Sequence, residues 1–296
     1  MTDITENSKP IENIMDNAKN PNVFRLKMED IPGTNNEVLT IYLYELNKFI
    51  RTHNLSKSEK MLYSALQSSL EYYKYISDTN SPFFSSLLDY TERETLALQK
   101  KYPNLDIKTS LRVKSPISAY NKILDKIQEY IRDGRDLKDL NSSLRDFIGI
   151  RRIISQKNAL KNNPRKSALK TLEFSKDQLL FQEKMDFNLI PIRESKIHAI
   201  EEPHAYQIDP EEEQMYIPKQ PEIPRDLVGK FRYFVKNYIA YPKKSLYQTL
   251  QYCTFLPFSK QYAVEYQVRD ENMHRIAEER TGKTFKLQNW FFYNRK

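Results

Sequence analysis

One cysteine, four histidines and five glycines in 296 residues leave several kinds of chemistry without material. A lone Cys253 excludes an intramolecular disulfide, and its place in an apolar run favours a buried structural thiol over a nucleophile. His53, His198, His204 and His274 are scattered and have no cysteines beside them, so no zinc-ligand spacing arises. Neither a GxxxxGK loop nor GxGxxG occurs, so any polyphosphate must be held by Lys, Arg and Ser side chains and a metal, not by a cradle of backbone N–H groups. Apolar runs stay short of the roughly 18 residues that cross a bilayer. The opening MTDITENSKP lacks the basic and apolar parts of a secretory signal, so a cytoplasmic protein with no membrane partner is expected. Lys and Arg outnumber Asp and Glu by 47 to 39, and the net charge of +8 points to an anionic partner, nucleotide or RNA.

Residues 1–35 are rich in Asn, Asp, Glu, Lys and Pro without periodicity and read as a mobile tail or loosely docked arm. A helical region at 36–85 follows. Val38, Leu39, Tyr42, Leu46, Phe49 and Ile50 recur at helical spacing, as do Met61, Leu62, Ala65, Leu66, Leu70 and Tyr73, with a junction at Thr52 to Leu55. Ser56 with Glu59 is a capping-box signature. The series Tyr72, Tyr73 and Tyr75 suits base stacking, or simply packing. Thr91 to Tyr102 reads as a helix stopped by Pro103. In LRVKSPISAYNKILDKIQEYI, Arg112, Lys114, Ser118 and Lys122 gather at the start of a helix whose apolar stripe is Ile117, Tyr120, Ile123, Leu124 and Ile127. Cations at a helix N-terminus suit an anion, since the dipole adds to their charge.

Phe147 to Ile154 is β-branched enough for a central strand, with Asp146 before it and Arg151 within it; a plain salt bridge would also explain Asp146. Lys157, Lys161, Arg165, Lys166 and Lys170 form a basic run that is either a landing strip for RNA or a solvated insertion. A helix at Ala168 to Glu183, a strand at Phe187 to Arg193 and a Pro- and Glu-rich lid or connector at Glu201 to Arg225 complete an insertion at about 157–230. Gln248 to Leu256 and Tyr262 to Val268 then read as neighbouring strands. In the second, Val264, Tyr266 and Val268 share one face, and Ala263, Glu265, Gln267 and Arg269 share the other. Such a polar face is either the wall of a site or an edge strand guarded by charge. Lys243, Lys244 and Tyr247 supply a cationic and aromatic rim before it.

Arg112-Val-Lys114 with Ser118 and Lys122, Asp146-Phe-Ile-Gly-Ile-Arg151, Tyr238-Ile-Ala-Tyr-Pro242-Lys243 with Tyr247-Gln-Thr-Leu, and Val264-Glu265-Tyr-Gln267-Val-Arg269 with Met273-His274 and Ala277-Glu278 occur in this order. Together they resemble the synthetase domain of the RelA/SpoT family over about residues 90–280. The resemblance implies an α/β (α+β) fold, a nucleotidyltransferase-like mixed sheet flanked by helices, at 86–296 behind the N-terminal helical region. It implies transfer of a pyrophosphate from ATP to a ribose 3′-hydroxyl, without an upstream hydrolase domain.

By the same resemblance Arg112 and Arg151 sandwich adenine, Lys114, Ser118 and Lys122 hold phosphates, and Asp146 and Glu265 bind Mg²⁺. Glu265 also takes the 3′-hydroxyl proton, Tyr247 stacks on the acceptor base, and Lys243, Gln251 and Gln267 complete the acceptor side. The chain departs from the family in its acceptor loop. Ser245, Leu246, Tyr247 and Gln251 stand where the family usually has Asn-Gly-Tyr and a closing histidine. The leading acceptor is GDP or GTP, giving (p)ppGpp. The alternative is a toxin of a toxin–antitoxin pair that modifies the 3′ CCA end of tRNA, using the basic run and the tail Lys283, Lys286, Arg295 and Lys296. A third reading is an inactive nucleotide or RNA sensor, against which the retention of every ATP and metal position argues. Assembly of several copies of the chain is left open.

Overall fold

The computed structural model describes residues 26, 28, 31, 34–156, 164–192, 230–231, 233–243, 247–281 and 290–292. It divides into two compact units, Met1–Ser85 with Lys114–Phe147, and Ser86–Val113 with Ile148–Lys296. The expected N-terminal tail and Pro- and Glu-rich segment lie almost wholly outside the described residues.

The first unit is helical: α1 (Asn35–Thr52), α2 (Lys57–Ser77), the start of α3 (Pro82–Lys101) and α4 (Pro116–Arg132). The capping box forms as expected. Glu59 donates its backbone N–H to Ser56 Oγ at 3.3 Å, and Ser56 donates its own to Glu59 Oε2 at 2.8 Å, so two orphan donors at the start of α2 are satisfied reciprocally. Leu39, Tyr42 and Leu46 of α1 and Leu62, Leu66, Leu70 and Tyr73 of α2 are buried, along with Ile123 and Ile127 of α4. Tyr73 is a packing residue, since its ring meets Phe147 edge-on at 5.3 Å and its hydroxyl donates to the Lys114 carbonyl. The buried stripe of α4 is Pro116, Ala119, Ile123, Ile127 and Tyr130. Ile117, expected in the stripe, is 38% exposed, because residues one apart on a helix are turned about 100° from each other.

The second unit carries a mixed sheet: β1 (Leu105–Val113), β2 (Ile148–Gln156), β3 (Asn188–Leu189), β4 (Val235–Asn237), β5 (Leu250–Leu256), β6 (Ser259–Asp270) and β7 (Trp290–Phe292). The order is β3-β5-β6-β2-β1-β7, with β4 also paired to β5. Among the described ladders β2 and β6 run parallel and the others antiparallel. The rest of α3, with α5 (Pro164–Lys184) and α6 (Glu271–Thr281), completes the unit. The architecture is therefore mixed α/β. No helix among the described residues is long and apolar enough to cross a membrane.

Several boundaries differ from expectation. Helix α3 begins at Pro82 and not Thr91, because Ser81 Oγ accepts the Phe84 N–H at 3.1 Å and Phe83, Phe84 and Leu87 extend the buried stripe. Helix α5 starts at Pro164 and takes Arg165, Lys166 and Lys170 into its body. The strand expected at Phe187 to Arg193 shrinks to Asn188–Leu189. Ile190 donates to the Cys253 carbonyl, but Ile192 turns to Tyr233.

Strand alternation sorts the sheet into two faces. Leu250, Tyr252 and Thr254 of β5, Val264, Tyr266 and Val268 of β6, and Ile148, Ile150 and Arg152 of β2 fall together by register and are all buried. Arg152 is fully buried here and pairs with Glu94 of α3, Nη2 to Oε2 at 2.6 Å. Gln182 of α5 donates to the other Glu94 oxygen at 2.6 Å, and Tyr266 donates to Oε2 at 3.3 Å. Tyr252 donates to Gln182 Oε1 at 2.9 Å and accepts from Gln178 at 2.7 Å. Burial pushes the Glu94 carboxyl up, while Arg152, Gln182 and Tyr266 pull it back.

Removing one partner leaves a charge stranded in the interior. Glu94→Ala should lower the unfolding free energy by about 3–5 kcal/mol in urea denaturation. The joint replacement Glu94→Leu with Arg152→Met should cost less than Glu94→Ala alone; the reverse order would contradict the network.

Candidate functional site

The opposite face of the sheet is polar, and its register sets the residues in rows. One row runs Arg112, Gly149, Glu265, Cys253 across β1, β2, β6 and β5. The next runs Ser110, Arg151, Gln267, Gln251, Lys236, reaching β4. Gly149 puts no side chain between the strands of Arg112 and Glu265, which leaves a slot about 10 Å wide, two strand spacings. Cys253 was expected in the core. It is in no disulfide and lies half-buried on this polar face, because its register partner is Glu265 and its neighbour Tyr252 takes the inward position.

Glu265 is held from both sides. Gln251 donates its side-chain amide to Oε1, and Gln267 donates to Oε2 at 2.8 Å. Arg269 donates from Nη2 to Gln267 Oε1 at 2.9 Å and, from the same nitrogen, to the Tyr247 hydroxyl. Its guanidinium also lies 4.7 Å from the Tyr247 ring centroid. The expected rim forms in part. Lys243 Nζ stands 4.6 Å from the Tyr238 ring and 4.9 Å from the Tyr247 ring, and burial followed by repulsion from Lys236 pushes its ammonium down. Lys244, Ser245 and Leu246 lie outside the described residues.

Within the second row, Arg151 Nη1 donates to Glu278 Oε1 of α6 at 2.7 Å. Burial first, and the neighbouring Arg269 second, push Arg151 down to about 10, so it remains a cation at neutral pH. His274 lies 3.8 Å from the same Glu278 oxygen. Burial and then Arg151 push it down to about 4, so its ring is neutral at pH 7. Asp270 anchors this corner, accepting from the Met273 N–H at 2.8 Å as a helix cap and from Ser167 of α5 at 2.7 Å.

In the first unit, Lys114 donates to Asp146 Oδ2 at 2.9 Å and to the Asp146 carbonyl at 3.1 Å, and Lys122 stands 3.8 Å from Oδ2. Asp146 is thus salt-bridged, as the simpler reading of it had it. Ser115 caps α4 by accepting the Ser118 N–H at 3.3 Å, with the two hydroxyls 2.9 Å apart. Lys114, Ser118, Lys122 and Asp146 belong to this unit, and Arg112, Arg151, Lys243, Tyr247, Gln251, Glu265 and Gln267 to the other. Among the described residues no three His, Cys, Asp or Glu side chains stand close enough to hold a metal ion. Asp146 in the first unit and Glu265 in the second each carry the hard oxygen donors that Mg²⁺ takes.

Of the basic run, Lys157 and Lys161 lie outside the described residues, and Arg165 and Lys166 are exposed on the first turn of α5. Lys170 pairs with Glu173 at 2.9 Å and lies 5.1 Å from the Tyr102 ring. The tie from Arg269 to Tyr247 and Gln267, the hold of Gln251 on Glu265 and the Glu278–Arg151 pair were missed in the residue pattern. Only the shared face of Glu265, Gln267 and Arg269 signalled the first of them. The sequence matches no protein-family model and no curated protein.

His274 fixes a pH window. Its folded pKa of about 4 lies below the ordinary histidine value of 6.5, so the unfolded chain binds the extra proton between those two pH values. Unfolding free energy should be at its full value above pH 6.5 and fall as the pH drops toward 4. His274→Asn should flatten that slope in denaturant titrations; an unchanged slope would assign it to other groups.

Proposed function

We propose that the chain is an ATP-dependent pyrophosphotransferase of the RelA/SpoT synthetase kind, with GDP or GTP as acceptor. The observation that carries it is the polar sheet face: a carboxylate, Glu265, oriented by the amides of Gln251 and Gln267 in a field of Arg112, Arg151, Arg269, Lys236 and Lys243. Such a face suits a polyanionic substrate and one proton acceptor.

In the reaction the acceptor's 3′-oxygen attacks the β-phosphorus of ATP. The bond from that phosphorus to the oxygen it shares with the α-phosphorus breaks, AMP leaves with that oxygen, and the hydroxyl proton passes to Glu265. Arg112 and Arg151 take the adenine between flat cations, for which Arg151 gives up Glu278. Lys114, Ser118 and Lys122 meet phosphate oxygens, and the Tyr247 ring meets the acceptor base. Asp146 and Glu265 would hold Mg²⁺, which supplies charge neutralisation on the phosphates. Positioning and charge neutralisation then carry most of the acceleration.

A second acceptor, the 3′ CCA end of tRNA, is favoured by the exposed Arg165 and Lys166 on the first turn of α5. In that case the chain is a toxin that blocks translation and needs an antitoxin partner.

With γ-³²P-labelled ATP, Mg²⁺ and GDP, Glu265→Gln should lower transfer by about 10²–10⁴-fold with circular dichroism unchanged. Asp146→Ala should likewise abolish it; full activity in either variant would overturn the site. Tyr247→Ala should raise KM for the acceptor and leave KM for ATP alone. Arg165→Glu with Lys166→Glu should spare labelling of guanosine nucleotides and weaken labelling of deacylated tRNA. An equal effect on both would dismiss the tRNA contact.

A further inference from the structure

We propose that Arg269 is the positioning residue of this site, tying the Tyr247 ring to the Glu265 carboxylate through the amide of Gln267. Its catalytic consequence rests on the transferase proposal above; the coupling itself rests on geometry.

A guanidinium only donates hydrogen bonds, and an ionised carboxylate only accepts them. Gln267 stands between the two, so its amide has one satisfactory orientation, Oε1 toward Arg269 at 2.9 Å and Nε2 toward Glu265 at 2.8 Å. The chemistry at the ends therefore fixes which way the amide points. Gln251 completes the chain on the other Glu265 oxygen. Without the guanidinium, Gln267 is held at its Nε2 end alone by Glu265, and its Oε1 loses the donor that fixes the other end. On its other side the same Nη2 donates to the Tyr247 hydroxyl, while the guanidinium lies 4.7 Å from that ring's centroid. One nitrogen serves both partners, so ring and amide cannot move independently.

The arrangement is costly for the fold. Arg269 is 2% exposed, and its Nε and Nη1 are buried with no hydrogen-bond partner among the described residues. A buried guanidinium with two orphan donors lowers stability. A side chain retained for stability alone would be better replaced by an apolar one of similar length. Lysine cannot substitute for it either, since a compact ammonium has no flat face to lie over the Tyr247 ring.

The test compares wild type with Arg269→Met and Arg269→Lys, using Gln267→Met to assign the Gln267 side-chain amide signals in ¹⁵N–¹H spectra. Arg269→Met should keep or raise Tm, speed exchange of the Gln267 amide protons with water and lower kcat by about 10²-fold. KM for the acceptor should rise while KM for ATP stays unchanged, and Arg269→Lys should restore neither kcat nor the slow amide exchange. A fall in Tm that accounts for the lost activity, or an unaltered Gln267 signal, would overturn the coupling. If the wild-type protein labels no acceptor, the transferase assignment fails by itself. Tm and the amide signals then still decide whether Arg269 couples ring to carboxylate.

Discussion

A carboxylate and a guanidinium share the interior of the sheet unit, and much else follows from where they sit. Glu94 on α3 and Arg152 on β2 are both out of water, 2.6 Å apart. Neither is tolerable there without the other. Gln182 and Tyr252 extend the pair to α5 and β5, and Tyr266 extends it to β6, where its ring stacks on Tyr252 at 5.1 Å. The strands that carry the polar face are thus clamped from behind by a network whose members can each be satisfied in only a few geometries.

Each of those clamped residues has a neighbour on the other face. Arg152 is followed back by Arg151, Tyr266 lies between Glu265 and Gln267, and Tyr252 follows Gln251. Alternation turns one member of each pair inward and the other outward, so fixing the inward side chain fixes the backbone from which the outward one projects. The rows of cations, amides and carboxylate inherit their spacing from that interior. The charges and donors of the polar face are thereby held at fixed positions.

The alternation of β6 could be read directly from its residues, because Val264, Tyr266 and Val268 contrast with Glu265 and Gln267. The hairpin before it was also legible, as was the Ser56 capping box. Cys253 was misplaced because β5 is apolar on both faces, so Tyr252, Cys253 and Phe255 give no parity signal. Ile117 was misplaced because α4 has apolar residues on two sides. Glu94 gave no sign of its role, since its partners Arg152, Gln182 and Tyr266 come from distant parts of the chain. The ties around Glu265 depend on which way two amides turn, and residue types alone do not carry that information. Four motifs in order suggested an activity, but the hold of Arg269 on Tyr247 emerged only from coordinates.

The central claim is that the polar face of the sheet is where the nucleotide lies. Photolabelling with 8-azido-ATP and Mg²⁺, followed by peptide mapping, tests it most directly. The account predicts label on peptides containing Arg112 or Arg151, displaced by excess ATP and lost when both arginines are replaced by alanine. Label confined to peptides of α1 and α2, or label that ATP does not displace, would contradict it.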